Sequence, residues 1–258
     1  MKQRLLLFIT TLMLCMGARA ATVQVIDGLK YIIYTDQNSA TLISNNYTQS
    51  EVVIPASITW EGKKYPVTEL GAKCFSNCHS LTSITIPSSV TSLGDECFFW
   101  CDGLKSVTIP SSVISLGESC FRYCRSLTSI TIPSSVTSIG NGCFENCSGL
   151  TSIYVKSATP PALHSTPFDD DQLNGKCTLY VPIGAAEAYE NAPYWQAFSI
   201  IKEIDFTTAV NGVYTPGKLV TVYALDGTVV KRQADRTRLS ETLPRGIYIV
   251  EGKKYVVR

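Results

Sequence analysis

The sequence predicts an elongated, mostly β solenoid of stacked coils, and three observations carry that prediction. One 23-residue phrase is spoken three times between Leu81 and Gly149: LTSITIPSSVTSLGDECFFWCDG, LKSVTIPSSVISLGESCFRYCRS and LTSITIPSSVTSIGNGCFENCSG. Its apolar residues fall at the same places in every copy, and a unit this short is too small to bury its own apolar side, so neighbouring units must share one interior. Each copy also alternates apolar and hydroxyl residues ahead of a proline, as a short strand with a defined end does.

The whole chain sets broad bounds. Its 258 residues are 45% hydrophobic and 17% charged, ample for a core. Twenty-two basic against twenty-one acidic side chains leave a formal charge of +1, so no global field advertises nucleic acid or an anionic membrane. Residues 1–20 read as an export signal: Lys2 and Arg4, an apolar run from Leu5 to Met16, then Ala18-Arg19-Ala20 as a cleavage site, with the mature chain starting near Ala21. A lipoprotein alternative would acylate Cys15, but Leu14 before it is too large for the usual small position. No later run is long and apolar enough to span a bilayer.

Residues 21–50 alternate like a small antiparallel β cap, with turns at Asp27-Gly28 and Asp36-Gln37-Asn38. A solenoid needs such a cap, since its first coil otherwise offers solvent a bare apolar face and an open edge. Residues 51–155 hold the repeats, beginning with a degenerate unit at Val52-Val53-Ile54-Pro55. The extra residues before Val67 fit an excursion that turns at Trp60-Glu61-Gly62-Lys63.

Within the full units Leu81, Ile84 and Ile86, and their equivalents Leu104, Val107, Ile109 and Leu127, Ile130, Ile132, face inward. One parallel strand per coil then leaves two outward columns. The first reads Val53, Thr85, Thr108, Thr131, Tyr154; the second reads Glu51, Ser83, Ser106, Ser129, Ser152. Hydroxyl ladders of this kind pair well across strands but hold no nucleophile beside a base. Val90, Leu93 and Gly94 carry the chain round the far side. The CFxxC segment fits a single helical turn whose two cysteines, four residues apart, share a face.

Residues 156–206 read as a C-terminal cap in which Thr178-Leu179-Tyr180-Val181-Pro182 restores a strand. GAAEAYENAPYWQAF then supplies a helix and an aromatic plug. Residues 207–258 differ in kind, with a linker near Thr207 to Gly217 and hairpins around Asp226-Gly227 and Glu251-Gly252 forming a small antiparallel β domain.

The pattern LTSITIPSSVTSLGxxCFxxC resembles the BspA-type (Treponema pallidum-type) leucine-rich repeat, and LYVPIGAAEAYENAPYWQAF is similar to that family's terminal cap. The fold expected is therefore a leucine-rich repeat solenoid with a β N-cap, an α/β C-cap and the small β tail. The chain departs from the family pattern at the residue before phenylalanine, alanine there but cysteine at Cys74, Cys97, Cys120 and Cys143 here. The tail is similar to the C-terminal sorting domains of secreted Bacteroidetes proteins. The resemblance implies a secreted or cell-surface, outer-membrane-associated protein. Such a protein would adhere to extracellular or host-surface proteins and perform no catalysis; a carbohydrate-binding accessory protein is the alternative.

Candidate sites follow from the residues. Eight cysteines pair as Cys74/Cys78, Cys97/Cys101, Cys120/Cys124 and Cys143/Cys147 on the inward face, favouring small buried thiols stacked in register. Disulfides within or between coils are a second reading, although neighbours on one helical turn rarely meet disulfide geometry. Metal binding is a third, weakened by the lack of a converging histidine. Cys177 stands alone in the cap as the candidate reactive thiol. His79 and His164 lack a carboxylate or nucleophile at a telling distance, and Asp169-Asp170-Asp171 lacks the spaced ligands and glycine of a calcium loop. No cofactor is implied. Trp100 and Tyr123 occupy variable positions inside CFxxC, side by side on adjacent coils and next to Arg122, the residue types of interface hot spots. A protein ligand would read these together with Thr85, Thr108 and Thr131; a glycan would use Tyr154, Tyr180 and Trp100 as stacking platforms.

Overall fold

The computed structural model describes residues 21–43, 47–163, 165–170 and 172–206, and the strands 219–223, 229–235, 246–250 and 253–257. The segment read as an export signal, the linker expected near Thr207, both expected tail turns, His164 and Asp171 lie outside the described residues.

The chain opens with an antiparallel meander of β1 (Ala21–Ile26), β2 (Leu29–Tyr34) and β3 (Ser39–Leu42). Asp27 and Gly28, both at positive φ, make its first tight turn. After β4 (Glu51–Val53), β5 (Ser57–Trp60) and β6 (Lys63–Leu70) form the expected excursion, a hairpin turning on Glu61 and Gly62.

The repeats supply β7 (Ser83–Thr85), β8 (Ser92–Leu93), β9 (Ser106–Val107), β10 (Ser115–Leu116), β11 (Ser129–Ile132), β12 (Ser138–Ile139), β13 (Ser152–Val155) and β14 (Ala162–Leu163). Each coil thus carries two strands rather than the single one expected. The odd-numbered repeat strands, preceded by β4, stack in parallel as β4-β7-β9 and β11-β13, with a Thr108–Thr131 bridge joining the two groups. The even-numbered ones continue the cap as β3-β6-β8-β10-β12-β14.

The CFxxC edge forms a third ladder and is not helical. Glu96, Phe98 and Trp100 donate their N–H groups to the carbonyls of Glu118, Cys120 and Arg122 one coil on, at 2.7–2.8 Å. The intervening residues close turns within their own coil, as Cys101 N–H does onto Phe98 O at 3.2 Å. In a continuing helix these N–H groups would instead point along the axis to carbonyls four residues back in their own coil.

The interior is assembled as columns. Phe75, Phe98, Phe121, Phe144 and Phe168 stack nearly parallel with centroids 5.2–5.7 Å apart. Phe168 extends this column beyond Val155, and β14 pairs with β12, so the boundary drawn at 156 falls within the last coil. Hydroxyls bind coil to coil at the surface: Ser112 and Ser135, the second serine of each PSSV, donate to Val90 O and Val113 O one coil back.

The last coil is closed by an irregular turn, Gln172–Lys176, followed by β15 (Thr178–Pro182), the short helix α1 (Ala186–Glu190), a 3-10 turn (Trp195–Ala197) and β16 (Ile201–Ile204). Trp195 and Tyr189 are buried plugs whose polar tips donate to Pro161 O and Ser157 O. The tail strands β17 (Leu219–Tyr223), β18 (Val229–Asp235), β19 (Gly246–Val250) and β20 (Lys253–Val257) form a four-stranded antiparallel sheet in the order β18-β17-β19-β20.

Candidate functional site

Two surfaces arise from the coil geometry, the odd-strand face and the turn edge. On the strand face the register places Val53 beside Thr85, Thr131 beside Tyr154, Tyr154 beside Tyr180 and Tyr180 beside Lys202. The second column runs Glu51, Ser83, Ser106 and then Ser129, Ser152, Thr178. Thr85 and Thr108 are exposed, while Thr131, Tyr154 and Tyr180 are half-buried. The two tyrosine rings stack face to face, 4.6 Å apart and 11° from parallel. Each ring thus turns one of its two faces to the other. Burial raises the Tyr154 hydroxyl above its ordinary pKa.

The turn edge is built differently. The residue before each second cysteine, Asn77, Trp100, Tyr123 and Asn146, has φ between 58° and 64°. The residues before each first cysteine, Lys73, Glu96, Ser119 and Gly142, are left-handed as well. Asparagine and glycine suit that conformation; large aromatics do not, and holding one there costs about 1–2 kcal/mol. Trp100 and Tyr123 are thus strained in side-by-side positions, and Trp100 is 40% exposed.

Around them the side chains converge. Trp100 and Tyr123 have centroids 5.6 Å apart, and Phe99 meets Tyr123 edge-on at the same distance. The His79 ring approaches Trp100 edge-on at 5.9 Å. The guanidinium groups of Arg122 and Arg125 lie 5.2 and 5.4 Å from the Tyr123 centroid, within cation–π range. Arg122 Nη2 donates to Glu145 Oε1 at 2.7 Å, while its buried Nε–H has no acceptor among the described residues. Arg125 is exposed and has no carboxylate partner among them.

His79 corrects the sequence reading. Its Nδ1 lies 2.8 Å from Asp102 Oδ1, because the two residues hold one position on adjacent coils. The pair is solvent-exposed on this edge.

All nine described cysteines are free and buried. The second thiol of each pair bonds the coil before it, with Cys101, Cys124 and Cys147 donating to Phe75 O, Phe98 O and Phe121 O at 3.0–3.2 Å. At the end of the stack Gln172 Nε2 replaces the thiol, reaching Phe144 O at 3.3 Å. Burial holds the Cys97, Cys124 and Cys143 thiols well above their usual pKa and pushes Cys147 up to about 12. Cys177, read as the reactive thiol, is fully buried and pushed up by burial to about 12, the opposite of activation.

Asp169, the first of the three consecutive aspartates, accepts the Asn146 N–H at 2.6 Å and so ends the turn-edge ladder. Among the described residues no three His, Cys, Asp or Glu side chains converge for a metal. No helix among them is long and apolar enough to cross a membrane.

Residues 66–169 match, in six copies, the family described as BspA type leucine rich repeat region. A leucine-rich repeat protein from Bacteroides capillosus is 33% identical over 52% of this chain and 97% of its own, with a TM-score of 0.48. The T. pallidum leucine-rich repeat protein is 20% identical over 59% of this chain and 78% of its own, with a TM-score of 0.43. A leucine-rich cell surface protein from Faecalibacterium prausnitzii is 22% identical over 81% of this chain and 60% of its own, also with a TM-score of 0.43. No protein of curated function matches the chain. Residues 66–169 of this protein are thus a BspA-type leucine-rich repeat region of six copies.

Proposed function

We propose that this is an exported, non-catalytic interaction protein that binds an extracellular or host-surface protein through the turn edge of its solenoid. The observation that carries this reading is the strain at Trp100 and Tyr123. Two large aromatics sit at left-handed positions that Asn77 and Asn146 fill on the flanking coils, and Trp100 remains exposed. Backbone strain of this kind costs stability without contributing to the core, and function is a common reason for keeping it. The basic and apolar start of residues 1–20 supports export. The cell-surface relative in Faecalibacterium prausnitzii is consistent with that location.

The test is a binding screen of the chain from Ala21 onward against extracellular matrix proteins and a glycan array. The reading expects a protein hit that Trp100→Ala and Tyr123→Ala weaken at least tenfold and that Thr108→Ala leaves intact. A glycan hit abolished by Trp100→Ala, with no protein captured, would replace it with the carbohydrate-binding alternative.

A further inference from the structure

The turn edge is aromatic and unevenly charged, and the unevenness identifies a ligand. Two cations and one imidazole on or beside this edge already have a carboxylate partner one coil away. Lys73 Nζ lies 3.6 Å from Glu96, His79 contacts Asp102, and Arg122 contacts Glu145. Arg125 breaks the pattern. It holds the position that is Asp102 on the coil before and Ser148 on the coil after, and its guanidinium rests by Tyr123 instead of on a carboxylate. Arg122 makes one hydrogen bond, to Glu145, so most of its donors are unused by the described residues. An exposed arginine oriented by an aromatic ring keeps its planar fork available for a carboxylate to accept two hydrogen bonds at once. Trp100 and Phe99 lie on the other side of Tyr123's position in the stack, one coil back, and offer apolar surface for a neighbouring side chain.

We propose that the Trp100–Tyr123–Arg125 edge binds a protein segment in which a carboxylate stands beside an aromatic or other large apolar side chain. The carboxylate accepts from Arg125, and the apolar group covers Trp100 and Phe99. This deepens the reading above and rests on it. The division of labour is the usual one for an interface anchor, apolar area for affinity and a charged pair for orientation.

The experiment is a selection from a displayed library of random dodecamer peptides on the chain from Ala21 to Arg258. Enriched peptides are expected to carry Asp or Glu next to an aromatic residue. They should bind Arg125→Glu and Trp100→Ala more than tenfold more weakly, bind Arg125→Lys with intermediate affinity, and ignore the distant charge change Lys64→Glu. Their affinity should fall several-fold as ionic strength rises from about 50 to about 500 mM, on the order expected for one exposed ion pair. Arg125 is exposed, so Arg125→Glu should retain the thermal transition; Trp100→Phe serves if Trp100→Ala does not. Peptides without acidic enrichment, or binding Arg125→Glu unchanged, overturn the assignment. Enriched peptides that lose binding to Trp100→Ala but not to Arg125→Glu overturn it while leaving the turn-edge reading standing; peptides sensitive only to Thr108→Ala or Thr131→Ala overturn both. No enrichment, combined with an Arg125-sensitive hit on a sulfated glycan, overturns both.

Discussion

Adding one methyl group at Gly117 should do damage out of proportion to its size. Gly94, Gly117 and Gly140 form a column in which each coil's backbone rests against the next, and none of the three has positive φ. A Cβ at Gly117 would lie 2.5 Å from both Asp95 N and Gly94 C. That is roughly 1 Å inside ordinary contact, and the obstacle is backbone, not a side chain free to swing away. The coil is also pinned, since Gly117 N–H donates to Leu93 O and Gly140 N–H to Leu116 O, each at 2.9 Å. Overpacking costs about 1–3 kcal/mol, and loosening two ladder bonds adds about 1 kcal/mol each. Gly117→Ala should therefore lose about 3–5 kcal/mol in urea denaturation, with amide exchange accelerated on both flanking coils. Gly184→Ala is the control: nothing lies within 4 Å, but φ is +82°, so only a conformational cost of about 1–2 kcal/mol applies. If Gly117→Ala matched Gly184→Ala or the parent, the close stacking of coils would be wrong.

Phe121, buried between Phe98 and Phe144, should cost about 3–5 kcal/mol as Phe121→Ala, measured by the same denaturation. Native protein should leave all nine described thiols unlabelled by a maleimide, and denatured protein should label all nine, read by intact mass. Stability should fall as pH rises above about 9. The unfolded thiols ionise there, whereas burial holds folded Cys147 and Cys177 protonated up to about 12. Each such thiol contributes a loss of about 1.4 kcal/mol per pH unit across that window; a flat profile from about pH 9 to 11 would contradict the buried-thiol core. Deleting residues 207–258 should leave the solenoid's thermal transition in place and release the protein from the cell surface, checked by calorimetry and cell fractionation.

The strand columns could be written out from the sequence because a fixed period makes neighbours of residues 23 apart, and alternation then decides inside from outside. The hairpin at Glu61-Gly62 was readable for the same local reason. The second ladder was not, since two residues such as Ser92-Leu93 are too few to show a period. The helical turn assigned to CFxxC failed because spacing of four fits either a helix or a run of turns bonded to the next coil. The column Asn77, Trp100, Tyr123, Asn146 did hold the clue, as asparagine at two of its four places marks a left-handed position. Phe168 escaped because one inserted residue and a proline in place of cysteine hide its descent from the repeat. The His79–Asp102 contact lies in those same columns and shows only when charge is compared from coil to coil along with burial.

Replacing Trp100 and Tyr123 with asparagine, the residue at the same left-handed position on both flanking coils, separates function from structure in a single double variant. Relief of strain, about 1–2 kcal/mol per site, should offset the loss of aromatic stacking, about 0.5–1.5 kcal/mol per ring pair. The double variant should therefore unfold within about 1 kcal/mol of the parent while its capture of the extracellular partner falls more than tenfold. Loss of several kcal/mol with binding retained would show instead that the two aromatics serve only to cover the coil edge.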